Sequence, residues 1–130
     1  MLKIVKLVLI MSAWLVTPGM TAEQSTHSVS LVELLAVPEK YADKNVRVKG
    51  FYNGEFYGAI FINHISADIM DEDSSIPVID QTEAGELALG CKNGYVEVIG
   101  HFAFDGYEYK ISDVKKVMDV KSLKVCWEKN

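Results

Sequence analysis

Arginine is nearly missing from this chain. Arg47 is the only one in 130 residues, and 13 basic side chains face 18 acidic ones, for a formal net charge of −5. Such a balance repels a phosphate backbone, which makes nucleic acid an unfavourable partner before any motif is considered. The short motifs of common chemistries are lacking as well. No Gly-x-Ser-x-Gly, His-Glu-x-x-His or phosphate-cradling glycine loop occurs, and an enzyme needs a nucleophile, a base and an oxyanion or metal partner within reach of one another. The three histidines, His27, His64 and His101, are scattered along the chain. These absences point away from catalysis, and no cofactor is implied.

Long apolar runs are also lacking. The longest, Leu7 to Val16, spans ten residues, whereas a transmembrane helix needs about 20. Lys3 and Lys6 precede it, Pro18 and Gly19 break it, and Thr21 and Ala22 follow. That order describes a secretory signal peptide over residues 1–22, cut after Ala22. An uncleaved anchor is the alternative, because Met20 is not ideal at the third position before the cut. No cysteine lies near the cut, so the usual bacterial lipoprotein attachment point is missing. The expected mature chain is periplasmic or secreted, with no stable membrane insertion. Without Lys3 and Lys6, 11 basic residues stand against 18 acidic ones, a net charge of −7.

Cys91 and Cys126 both fall in the mature part, and no Cys-x-x-Cys pair suggests redox catalysis. In an oxidising compartment two cysteines most simply pair, which would stabilise by about 3–4 kcal/mol in the chain-entropy model. Two separate thiols are the other reading, since spacing alone does not bring the two sites together.

What is present is mostly strand. Residues 23–29 read as a polar linker. Ser30 and Glu33 have capping-box spacing, and Leu31, Leu34 and Leu35 share a face, so a short helix is predicted to end near Pro38. VRVKG at 46–50 alternates apolar and charged residues, and VEVIG at 96–100 repeats the pattern. Further strands are predicted at 59–63 and 75–80, the latter bearing Pro77 as an edge or bulge signal. A helix weakened by Gly85 follows at 82–89. The clearest hairpin turns at Asp105-Gly106, with Phe102 and Phe104 facing Tyr107, Tyr109 and Ile111. The turn after the first strand falls at Asn53-Gly54 or at Tyr57-Gly58.

Five strands, preceded by a short helix and with another between the third and fourth, is the element order of an OB-fold, a small Greek-key barrel. The expected class is therefore mainly β: an OB-fold-like barrel over 30–118, and a tail or extra strand at 119–130. In such a barrel the first and fourth strands are antiparallel neighbours. VRVKG and VEVIG would then lie side by side, valines inward, a bending glycine in each, with Arg47 and Lys49 near Glu97 or His101. The recurrence reads as barrel closure rather than a doubled binding site.

A Ser-Leu-x-x-Leu-Leu helix, a Pro-Glu-x-Tyr turn, Val-x-Val-x-Gly and Glu-Phe-x-Gly follow one another here. They are carried by Ser30, Leu31, Leu34, Leu35, Pro38, Glu39, Tyr41, Val46, Val48, Gly50, Glu55, Phe56 and Gly58. This stretch resembles the opening of a family of small, often exported bacterial OB-fold proteins grouped as tRNA-anticodon-like. The matching motifs are structural, so the resemblance implies the fold and leaves the ligand open.

Alternation places Tyr52, Phe102, Phe104, Tyr107 and Tyr109 on the valine faces, hence in the core. Phe51, Phe56, Tyr57 and Phe61 remain as outward candidates for ligand binding, since OB-folds often stack bases or rings on exposed aromatics. His64 and Asp68, four residues apart, are ligand-binding candidates that could share one helical face and hold a metal, although two ligands make a weak set. The only metal-like run is DEDSS, with Asp71 and Asp73, and it lacks the glycine and terminal glutamate of a calcium loop. The functional expectation is an exported, non-catalytic binding module of the bacterial envelope that recognises a protein, peptide or small ligand. An inhibitor or immunity role, in which the acidic surface caps a basic partner, is one form of it. The alternative is single-stranded nucleic-acid binding through the OB-fold face.

Overall fold

The structure is a computed structural model that describes residues 25–53, 58–82, 91 and 93–130. The signal peptide expected at 1–22, Phe56, Tyr57, both versions of the first turn and nearly all of the helix expected at 82–89 lie outside the described residues. The described part is mainly β. Strand β1 (His27–Ser28) precedes helix α1 (Leu31–Ala36), and β2 (Lys44–Asn53) and β3 (Ala59–Phe61) follow. Helix α2 (His64–Asp68), β4 (Ser75–Pro77), β5 (Gly94–Phe104), β6 (Tyr109–Asp119) and β7 (Val125–Glu128) complete the order.

The strands form one sheet in the order β4-β3-β2-β5-β6-β7, antiparallel throughout, with β1 added parallel to β2. These strands do not close into a barrel. The two ends of the curl nevertheless meet at a single parallel bridge between Val78 and Ile111, where the Ile79 amide donates to the Ile111 carbonyl at 2.8 Å.

VRVKG and VEVIG are neighbours, as expected. Val48 pairs with Val98, and around that centre Val46 faces Gly100 while Gly50 faces Val96. All four valines are buried, and on the outer face Arg47 Nε lies 3.5 Å from Glu97 Oε1. Both glycines sit where the next strand crosses closely. A Cβ on Gly50 would lie 3.0 Å from Ile60 Cβ, and one on Gly100 only 2.6 Å from Ile111 Cγ2. The β5–β6 register also shifts between Ile99 and His101, the mark of a bulge that sharpens the bend.

Helix α1 begins as expected, with Ser30 Oγ accepting from the Glu33 amide at 3.1 Å, and it buries Leu31 and Leu34 against the sheet. Three expectations change. The stretch taken for linker supplies β1, and Val29 is buried with its amide bonded to the Arg47 carbonyl. The strand expected at 75–80 is only three residues long, although the Val78 amide just beyond it still donates to the Gly58 carbonyl at 2.6 Å. The hairpin turn is longer than two residues. Phe104 pairs with Tyr109, so Asp105 to Glu108 form the turn and Tyr107 leaves the ladder.

The extra strand at the C-terminus exists as β7, and a disulfide joins Cys91 to Cys126 with Cα atoms 5.7 Å apart. Beside it Trp127 packs against the core, opposite Val117.

Two stability measurements check this architecture. Gly100→Ala is expected to lower unfolding free energy by about 1–3 kcal/mol, read as a fall in urea midpoint; an unchanged midpoint would mean that the close crossing is not needed. Replacing both Cys91 and Cys126 by serine is expected to cost about 3–4 kcal/mol, with red-shifted Trp127 fluorescence. A loss well under about 1 kcal/mol would show that packing alone holds β7.

Candidate functional site

The acidic stretch after β3 is not an open loop. Asn63 is extended and its side chain accepts from the Ser66 amide at 2.9 Å, which starts α2. That helix lays Ala67 over Ala59 and Phe61 in a small second cluster, with Phe51 packed at its edge. Phe61 therefore points to the outer face, as expected, yet is 3% exposed. Phe51 meets the Tyr95 ring edge-on at 5.3 Å, the His64 ring lies 6.3 Å away, and the Tyr95 hydroxyl accepts from the His64 amide at 3.4 Å.

Phe51, Phe61 and His64 are thus brought together around the start of α2, while Asp68 is exposed toward its end. Asp71 is engaged in capping. Its Oδ1 accepts from the Asp73 amide at 3.2 Å and its Oδ2 from Ser74 Oγ at 2.7 Å, starting a short 3₁₀ turn. Among the described residues, no three His, Cys, Asp or Glu side chains converge as a metal site requires.

The more open aromatic surface lies elsewhere, on residues assigned above to the core. Phe104 is 54% and Tyr107 88% exposed. The alternation is right, since Phe102 is fully buried and Phe104 shares its face. Coverage is what fails. Strand β2 pairs with β5 only as far as Phe102, so the β5–β6 hairpin overhangs the sheet and its inner face is more exposed there. Along the overhang Phe102 stacks on Tyr109 at 5.1 Å, and Tyr109 meets Phe104 at 5.1 Å. An aromatic row therefore runs from the core to the surface.

Two hollows flank this tip. One, of about 570 Å³, lies between the tip and strands β3 and β4, lined by Gly58, Phe61, Pro77, Asp80, Tyr107 and Lys110 among others. Its size is that of ordinary ligand pockets. The second, of about 320 Å³, has Leu35, Ile76, Phe104 and Tyr109 in its wall and Asp73 at its edge. Glu72, Ser75, Pro77, Tyr107 and Glu108 line both, so the two form one groove along β4 and under the tip. Compared with known proteins, the chain matches no family model, no curated protein and no solved structure.

The tip is held electrostatically. Asp105 Oδ1 accepts from the amides of Tyr107 at 2.8 Å and Glu108 at 2.9 Å, and Oδ2 lies 2.7 Å from Lys110 Nζ. The Lys110 ammonium, then the two amides, hold the Asp105 carboxyl well below the usual carboxylate range. Lys110 is correspondingly raised by Asp105, and Glu108 Oε1 stands 3.6 Å away on its other side. Deeper in, burial and then the nearby Asp80 push the Tyr52 hydroxyl up. The groove therefore offers an aromatic wall and carboxylates, and the one ammonium among its described residues, that of Lys110, is already neutralised.

Sequence reasoning passed over Phe104 and Tyr107. The available signal was the length of the apolar alternation in β5 and β6, which outruns β2.

A depressed folded pKa supplies stability above the unfolded carboxylate value of about 3.9, lost as pH falls through the folded value. The tip should therefore keep its turn through pH 4–5 and loosen only in stronger acid. In an NMR titration the Tyr107 and Glu108 amides should move with a midpoint well below that of an ordinary aspartate, and Asp105→Asn should abolish the transition. A midpoint near the ordinary value would show that the Asp105 contacts do not form in solution.

Proposed function

We propose that the chain is an exported, non-catalytic binding module of the bacterial envelope whose ligand occupies the groove along β4 and under the β5–β6 tip. The groove itself carries this reading. It combines concavity, exposed rings and few but convergent polar groups, the usual composition of a binding site.

The topology supports it. Read as barrel strands, β2, β3, β4, β5 and β6 run in the order 3-2-1-4-5, with Val78–Ile111 linking third to fifth. That arrangement suits a five-stranded, partly open Greek-key barrel of the OB type, decorated by β1 and β7. The groove then falls on the second and third strands and beside the turn between fourth and fifth, the region through which OB-folds bind. The resemblance to small exported bacterial OB-fold proteins favours the same reading.

Export is supported by the apolar leader and by the disulfide, which suits an oxidising compartment. Among the described residues no helix is long and apolar enough to cross a membrane. Single-stranded nucleic acid is the weaker reading, since the groove carries carboxylates where a phosphate chain needs lysine and arginine.

Site-specific photo-crosslinking in cells tests the proposal. A benzophenone side chain placed at Phe104 or Tyr107 should yield a discrete adduct. One placed at Leu123, 70% exposed and at the opposite end of β6, should not. Absence of adducts at the tip, or equal adducts at both ends, would overturn the assignment.

A further inference from the structure

We infer that the groove takes a cationic peptide segment, with a large apolar side chain next to a lysine or arginine; this rests on the reading of the groove as the binding site. The overhanging hairpin leaves the end of the hydrophobic core open. Phe102 is fully buried, yet Phe104, two residues along the same face, is half in water. Tyr109 lies between them as part of one row of rings. An apolar side chain resting on Phe104 and Tyr109 would complete that row and remove exposed aromatic surface from water.

Charge decides what accompanies it. Glu72 and Glu108 line both hollows, and Asp73 lines the second. Among the described residues lining the groove the one basic side chain, Lys110, is held by Asp105 at 2.7 Å and Glu108 at 3.6 Å. A phosphate or carboxylate ligand would meet like charge with no available counter-ion. An ammonium or guanidinium meets carboxylates on either side of the apolar wall and, in Tyr107, an exposed ring face that attracts cations.

Position adds a constraint. Tyr107 projects from a turn fixed by the Asp105 carboxylate, so its ring stands over the groove on a rigid support and little order is lost on binding. The free edge of β4 offers poor strand pairing, because Pro77 has no amide and the Ser75 hydroxyl is turned back to the Glu72 carbonyl at 3.0 Å. Recognition would therefore run through side chains rather than through an added strand.

Calorimetric titration of the purified protein with Ac-Lys-Phe-Lys-Phe-NH₂ tests the inference, alongside the same peptide with glutamate or serine in place of lysine. The lysine peptide should bind, with affinity falling as salt rises. Tyr107→Ala, at a position that packs against little, should weaken it roughly tenfold. The isosteric triple change Glu72→Gln, Asp73→Asn and Glu108→Gln should weaken it by at least as much, with the melting temperature unchanged. No binding, or binding indifferent to both variants, would overturn the cationic class. Equal or tighter binding of the glutamate or serine peptide, still sensitive to Tyr107→Ala, would overturn that class while leaving the groove as the binding site. Crosslinks absent from the tip would remove both.

Discussion

The β2–β5 ladder runs over nine residue pairs with Val48 opposite Val98, and the valine–glycine pairs two residues to either side of that centre set most of what lies around it. Across from Val96, Gly50 leaves room for Ile60 of β3 to cross the inner face; across from Val46, Gly100 does the same for Ile111 of β6. The sheet therefore curls at two points related by an approximate twofold about Val48 and Val98. Both curls bend inward, and their outcome is the meeting of Val78 with Ile111. A side chain at either glycine would hold the flanking strand away, and the core of Phe102, Ile60 and Ile111 could not pack from both sides.

Alternation in sequence reports which face a side chain takes, and on that point the sequence was a sound guide. Val46, Val48, Val96, Val98 and Phe102 are buried as their parity requires, and the repeat led directly to the pairing of the two strands. Parity does not report whether anything covers a face. Phe104 has core parity and is half exposed, at the tip of a hairpin that runs on past the end of the β2–β5 pairing. Phe61 has solvent parity and is buried because α2 sets Ala67 over it. The two errors have the same origin: cover is supplied by elements distant in sequence, and a local pattern contains no information about them.

The acidic residues show a second limit of composition. A net charge of −5 describes a surface only if the acidic charges are free, and several are not. Asp71 starts a 3₁₀ turn, and Asp105 holds the hairpin tip. Asp119 accepts from Ser122 in the β6–β7 turn. Asp113, with both Lys129 and Lys115 on its oxygens, is lowered to about 2 and ties β7 to β6. Aspartate dominates this structural set because its short side chain reaches backbone amides two or three residues on. Glutamate is too long for most of those turns, which leaves residues such as Glu72, and Glu108 shared with Lys110, to define the charge at the groove.

The same hairpin carries both consequences. Its length beyond β2 exposes the aromatic row, and its turn must then be stable without burial, since among the described residues no strand packs over it. Asp105 meets that need by bonding the Tyr107 and Glu108 amides and pairing with Lys110. Pairing Lys110 in this way also removes the only ammonium among the described residues at the groove from competition for a ligand's negative charge. The electrostatic support of the tip and the cation preference of the groove are thus one arrangement, and a change that frees Lys110 would alter the shape of the tip and the charge of the groove together.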